Sequence, residues 1–150
     1  MRCTRSASVI STGIDHQFMS CAIVSLVLAP YAVSRAIGRH NAESYTWGDQ
    51  CEGWYLLNTV KLAVIEEQMP SGAAEILHYH KHAQQFFFML FGEAVIEVDD
   101  EEIRLTAGEG LHIGSGRRHR IRNSSPHLIR FLVISEPPSH GDRVDVADNS

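Results

Sequence analysis

Two histidines separated by one residue, His78 and His80, occur in the segment EILHYH. In an extended strand, side chains two residues apart point to the same side, so the two imidazoles are predicted to face one point. Gln85 and His119 are the further candidates for this site. Imidazole is a common metal ligand, and Ile76, an apolar residue, shares the histidine face. The pattern therefore predicts a metal site that faces the interior of a β structure, with a plain surface or core pair of histidines as the alternative.

Short apolar segments separated by Gly, Pro, Asn and Asp begin near Trp47 and continue to Pro138. This texture is typical of an all-β sandwich or barrel and leaves little room for helix. The predicted strands are Leu56–Leu57, Lys61–Glu66, Ala74–Tyr79, Gln85–Phe91, Ala94–Val98, Glu102–Leu105, Gly110–Ile113, His119–Arg122 and Leu128–Ile134. A polar turn at Asp99, Asp100 and Glu101 predicts a hairpin between the fifth and sixth of these.

The distribution of apolar and polar residues divides the sequence into three regions. Residues 1–40 lack an alternating pattern and are expected to be an N-terminal extension, either helical or disordered. Residues 41–138 are expected to form the folded domain. Residues 139–150 are polar and are expected to be a frayed C-terminal tail.

Composition restricts the partners of this chain. Its 150 residues, 44% of them apolar, suit one globular domain with a core. A net charge of -5 with interspersed signs gives no cationic surface, so we expect no nucleic-acid partner. The apolar run CAIVSLVLA is too short to cross a bilayer, so no membrane association is expected. Three scattered cysteines, Cys3, Cys21 and Cys51, favour the cytoplasm, with secretion through a signal formed by that run as the alternative.

Two sets of spacings add a family resemblance. The first runs through Gly72, His78, His80, Gln85 and Gly92, and the second through Gly108, Gly114, Gly116, His119 and Asn123. Both resemble the two signatures of the cupin superfamily, in the right order, over about 52 residues. In those signatures proline is usual at Gly114 and glutamate at Gln85.

The resemblance implies a double-stranded β-helix, or jelly roll, that encloses a divalent transition metal held by His78, His80, Gln85 and His119. The metal itself, Fe, Mn, Ni or Zn, stays open. With a neutral amide at Gln85 the centre carries about +2, against about +1 with glutamate, and we expect it to hold its metal less tightly. Two alternatives remain: Gln84 is the ligand if the register slips by one residue, or neither amide coordinates and the site has three histidines.

Further residues are assigned from the same alternation. The walls of the substrate pocket are predicted to be Ile76, Phe87, Met89 and Ile121. The arginines Arg118, Arg120 and Arg122 are predicted to point outward as a solvated rim.

The expected function is that of a metal-binding cupin that acts on a small-molecule substrate or ligand. An oxidoreductase of dioxygenase type is the first hypothesis, and the catalytic residues are unknown because no general base lies in the two signatures. The alternatives are a non-catalytic ligand-binding or sensor module, and a metal-dependent isomerase or lyase acting on a sugar-like compound. The resemblance also implies a homodimer, for which residues 41–60 are the expected contact element.

Overall fold

The computed structural model describes residues 35–147, which contain eleven β-strands and no helix. Predictions for residues 1–34, including the apolar run, Cys3 and Cys21, lie outside the described residues, as do those for residues 148–150. Within 35–147 no helix is long and apolar enough to traverse a bilayer.

The strands are β1 (Glu43–Trp47), β2 (Cys51–Asn58), β3 (Ala63–Met69), β4 (His78–His80), β5 (Gln84–Phe91), β6 (Glu93–Val98), β7 (Glu101–Thr106), β8 (Gly110–Ile113), β9 (His119–Arg122), β10 (Ile129–Glu136) and β11 (Arg143–Asp145). They form two antiparallel sheets, a six-stranded sheet in the order β1-β2-β3-β10-β5-β8 and a five-stranded sheet in the order β11-β4-β9-β6-β7.

The core is built from the inward-facing residues of both sheets. Met69, Met89 and Phe131 from the first sheet belong to one buried cluster with Ile96 and Ile121 from the second, and all five are fully buried. Alternating apolar positions on each strand produce this arrangement, because every second side chain faces the opposing sheet. The structure confirms the predicted all-β, jelly-roll class.

The structure confirms the predicted outward direction of the three arginine side chains. Arg118, Arg120 and Arg122 project from β9 and the loop before it to acidic partners on the outer face. Those partners are Asp100, Glu97 and Glu102. The predicted turn between β6 and β7 is also present, with Asp99 and Asp100 at φ values of 46° and 75°.

The C-terminal segment differs from the expectation of a frayed tail. Arg143–Asp145 forms strand β11, which pairs with β4 in the register Arg143↔His80 and Asp145↔His78. The sequence of this strand is polar because it is an edge strand with little burial, and its backbone hydrogen bonds to β4 position it. Strand β1 was missed for the same reason, since none of its residues is buried.

Asn123, the last residue of the second signature, joins three segments of backbone. Its side chain is fully buried, and Nδ2 lies 3.1, 3.0 and 2.8 Å from the carbonyl oxygens of Met69, Pro70 and His127. Its Oδ1 accepts hydrogen bonds from the backbone N–H and the hydroxyl of Ser125.

We expect Asn123→Ala to lower the free energy of unfolding by roughly 2–4 kcal/mol, because it leaves several buried carbonyl groups without a donor. Chemical denaturation measures this loss, and Asn58→Ala, at the exposed end of β2, serves as the control with a change below about 0.5 kcal/mol. Equal stability of the two variants would contradict the role assigned to Asn123.

Candidate metal centre

Three histidines converge at one end of the barrel. His78, His80 and His119 each offer a ring nitrogen, and these nitrogens lie within 4.8 Å of one another. All three side chains are buried, with ring centroids of His78 and His119 only 4.3 Å apart. The structure therefore brings together the three histidines that the sequence had nominated from two separate segments.

Neighbouring strands position these rings. His78 in β4 is the direct cross-strand partner of His119 in β9. The Nδ1 atom of His78 lies 2.9 Å from the carbonyl oxygen of Ile76, and the Nδ1 atom of His119 lies 2.9 Å from that of Arg117. Since a carbonyl oxygen only accepts, these contacts favour the tautomer with the proton on Nδ1, which leaves a lone pair on Nε2.

Burial keeps the imidazoles neutral. It lowers the pKa of His78 to about 3, with a smaller contribution from His119, and it lowers the pKa of His80 to about 4. It also lowers the pKa of His119. Metal ligation needs deprotonated nitrogens, so near neutral pH no proton has to leave these rings before a cation binds.

Gln85 is the amide at the centre. It is buried, its Oε1 lies 2.8 Å from Nε2 of His119, and its Nε2 donates to the hydroxyl of Ser135 at 3.3 Å. Gln84 is exposed on the opposite side of β5, where it contacts His112 and Glu136. The register slip that would place Gln84 in the site does not occur.

These atoms fit a cation. The lone pair of His119 Nε2 faces the amide oxygen of Gln85, and two acceptors in contact repel each other unless the amide turns or a cation binds both. Two ligand atoms at about 2.1 Å from one ion and at a right angle to each other lie about 3 Å apart, close to the observed 2.8 Å. Nδ1 of His80 is buried and has no hydrogen-bond partner among the described residues. The donor set, nitrogen with one neutral oxygen, suits a divalent transition metal.

A cavity of about 220 Å³ adjoins the cluster, and His78, His80 and Gln85 contribute to its wall. Of the four predicted wall residues, Phe87 lines this cavity, whereas Met89 and Ile121 are buried in the core and are not part of its lining. Ile76 was assigned wrongly, since it is 62% exposed. The strand begins at His78, so the alternation that placed Ile76 beside the histidines does not extend back to it.

The same irregular segment turns Glu75 into the cavity, and Glu67 reaches it from β3. Burial, reinforced by the neighbouring Glu75, raises the pKa of Glu67 to about 8. Burial also raises the pKa of Glu75 to about 7, against the opposing effect of Arg143. Two carboxyl groups thus share the cavity with the histidines, and neither lies among the ligand positions of the two signatures.

Sequence reasoning missed both carboxyl groups for a physical reason. Strict alternation would put Glu75 on the face opposite His78 and His80. In β3 three consecutive residues, Ile65, Glu66 and Glu67, are all buried. Glu66 points to the outer face, where its ion pair with Arg130 covers it. Burial in this strand therefore does not alternate. His140, assigned no role before, lies at the cavity wall together with Ser139 and Gly141, because β11 carries the C-terminal segment back across the barrel.

Comparisons with known proteins agree with this architecture. The family model described as "Cupin domain" matches residues 65–135. The tetracenomycin polyketide synthase protein TcmJ of Streptomyces glaucescens is 34% identical over 70 residues, 47% of each chain. Quercetin 2,3-dioxygenase of Bacillus subtilis is 31% identical over 74 residues, 49% of this chain and 22% of that protein. The chain therefore spans about half of the first of these relatives and less of the second.

Solved structures give the same fold. The polyketide cyclase RemF of Streptomyces resistomycificus superposes with a TM-score of 0.67 at 14% identity, over 76% of this chain and 86% of that one. The two signatures, the paired antiparallel sheets and the matched family model agree that residues 65–135 of this chain form a cupin domain.

Proposed function

We propose that this cupin is a metal-dependent enzyme acting on a small organic molecule that binds the cation through two oxygen atoms. The observation that supports it most directly is the convergence of three buried, neutral imidazoles and an amide oxygen at one end of a cavity. A bound Fe, Mn, Ni or Zn ion would supply Lewis acidity toward oxygen groups of the substrate.

The residues of the chain have separate tasks in this proposal. His78, His80, His119 and Gln85 hold the cation, and none of them adds negative charge, so the centre keeps about +2 and attracts anionic oxygens. The apolar wall residues Trp47, Ile65, Phe87 and Val133 limit the access of water to the bound molecule.

Two reaction types have support from particular observations. Dioxygenation, the first hypothesis from the sequence, is supported by the similarity to quercetin 2,3-dioxygenase. Proton transfer, as in an isomerase, a lyase or a cyclase, is supported by Glu67 and Glu75, because carboxyl groups with pKa values near neutrality suit acid and base catalysis. The similarity to a polyketide synthase protein is compatible with either reaction.

The test uses 2,3-dihydroxynaphthalene as a chelating probe, with wild-type protein that has been loaded in turn with Fe(II), Mn(II), Ni(II) and Zn(II). We expect calorimetry to detect probe binding that depends on the metal and is lost with a chelator. Binding that is equal with and without metal would contradict the proposal.

The same loaded protein separates the reaction types when it is given a panel of small hydroxy-carbonyl compounds. Oxygen uptake with the gain of two oxygen atoms identifies a dioxygenase, whereas a rearranged product of unchanged mass identifies an isomerase or cyclase. Smaller fragments that have gained no oxygen identify a lyase. Metal-dependent binding with no product across the panel would instead support the ligand-binding alternative.

A further inference from the structure

The cavity is lined by candidate ligands of the centre, by the carboxyl groups of Glu67 and Glu75, by polar residues of the C-terminal segment and by apolar side chains. Residues paired across β5, β10 and β3 form rows that run across the sheet. One row contains Gln85, Ser135 and Ala63. The next inward-facing row contains Phe87, Val133 and Ile65. Glu67 belongs to the row after that, paired with Phe131. Glu67 is four residues along β3 from Ala63, which lies in the row of Gln85, and four residues of a strand span roughly 13 Å. Glu67 is thus placed to meet the remote end of a chelated molecule, beyond the chelating oxygens.

Tyr45 orients the carboxyl group at this remote end. Its hydroxyl donates to Oε1 of Glu67 at 2.7 Å. The tyrosine reaches across a strand to do so, since Tyr45 pairs with Gly53 in β2 and Gly53 pairs with Glu67 in β3. A Cβ atom on Gly53 would lie 2.4 Å from Cζ of Tyr45, so the glycine is needed for the ring to occupy this position.

The second oxygen of Glu67 is the free polar atom of the pair. Glu67 is 9% exposed and lines the cavity, and no group among residues 35–147 is hydrogen bonded to its Oε2. Glu75 differs, because its Oε2 accepts the backbone N–H of Ile121 at 3.2 Å and its Oε1 lies 3.5 Å from Arg143. Glu75 is therefore held by the protein, whereas Glu67 keeps one oxygen that is open to the cavity.

A hydrogen bond is stronger in a largely buried site than in water, so a ligand group that bonds to the open oxygen of Glu67 gains binding free energy. The cavity as a whole, at about 220 Å³, is larger than the apolar cavity of about 150 Å³ that holds benzene, so it can hold a molecule larger than one ring. Four of its lining residues, Trp47, Ile65, Phe87 and Val133, are apolar or aromatic.

We propose that Tyr45 and Glu67 form a second binding site in the cavity, which recognises a hydroxyl or carbonyl oxygen at the end of the substrate remote from the cation. The substrate class is a flat, largely apolar molecule of one or two rings with oxygens at both ends. This inference rests on the proposed function, because the cation fixes the near end.

Two probes of the same shape test it. 2,3-Dihydroxynaphthalene has only the chelating pair, and 2,3,6-trihydroxynaphthalene adds one hydroxyl at the far end. With metal-loaded wild-type protein we expect the trihydroxy probe to bind about tenfold more tightly, as for one hydrogen bond to a buried group. In Glu67→Leu and in Gly53→Ala this ratio should fall close to one, while metal content stays unchanged.

Two further variants separate recognition from general damage. Glu67→Gln keeps a donor and an acceptor and should retain most of the preference. Gln68→Leu, on the outer side of the same strand, should retain all of it.

The outcomes are distinct. If the dihydroxy probe shows no metal-dependent binding, the proposed function fails, and this inference fails with it. If the dihydroxy probe binds normally but the ratio is near one in the wild type, or is the same in wild type and Glu67→Leu, only the second site is refuted.

Discussion

His119→Ala is expected to weaken binding of a divalent cation by roughly 100-fold or more, because it removes one of the ligand nitrogens and leaves the amide oxygen of Gln85 without a shared partner. Metal content of protein purified without added metal, measured by elemental analysis, should fall from near one ion per chain to a trace. A competition titration against a coloured chelator then gives the change in affinity.

His112→Ala is the matched control. His112 is exposed on β8 and contacts Gln84 on the outer side of the sheet, so its removal should leave metal content unchanged. Retention of a full complement of metal by the His119 variant would show that the cation binds elsewhere. Thermal unfolding of both variants shows whether a loss of metal reflects the site or the fold.

The sequence predicted which histidines converge, in part because the two in β4 are related by local geometry. Alternation within a strand places His78 and His80 on one side, and the motif spacing supplied Gln85 and His119. The structure adds the cross-strand pairing of His78 with His119, which brings the two motifs into contact. Within the centre, the choice between Gln84 and Gln85 required the actual direction of β5 side chains.

The remote end of the cavity could not be predicted in the same way. Contact between Tyr45 and Glu67 depends on the register of three strands and on the missing side chain of Gly53, and none of these produces a recognisable motif. The position of Glu75 depends on where β4 begins. Alternation fails at that point because backbone outside a strand does not follow a period of two.

Glu67→Leu is expected to flatten the dependence of stability on pH above neutrality. Glutamate has an ordinary pKa near 4.3 in an unfolded chain, and burial raises the pKa of Glu67 to about 8 in the folded protein. Between these values the folded state holds a proton that the unfolded state has released. Stability from this group is therefore fully present below about pH 4.3 and is lost as the pH rises toward 8, at up to roughly 1.4 kcal/mol per pH unit.

Comparison of the wild type with Glu67→Leu between pH 6.5 and 8 isolates the contribution of Glu67. Below about pH 6.5 the three buried histidines act with the opposite sign, since their lowered pKa values make the folded protein lose stability as the pH falls. Burial raises the pKa values of Tyr45, Tyr55 and Cys51, so these groups stay neutral throughout the window. Glu75, with a pKa raised to about 7 and Arg143 beside it, contributes in the same direction as Glu67 and remains in the variant.

Urea denaturation of metal-free protein at several pH values in this window measures how steeply the free energy of unfolding changes with pH in the wild type and in Glu67→Leu. The wild type should lose roughly 1–2 kcal/mol more than Glu67→Leu between pH 6.5 and 8, and the variant should be the more stable protein at pH 8, because an apolar side chain replaces a buried carboxylate. Gln68→Leu should follow the wild-type slope, since Gln68 carries no titratable group. Parallel curves for wild type and Glu67→Leu would mean that Glu67 ionises in its ordinary range. Its carboxyl group would then be hydrated in the cavity and would not be held as an unhydrated partner for a substrate oxygen.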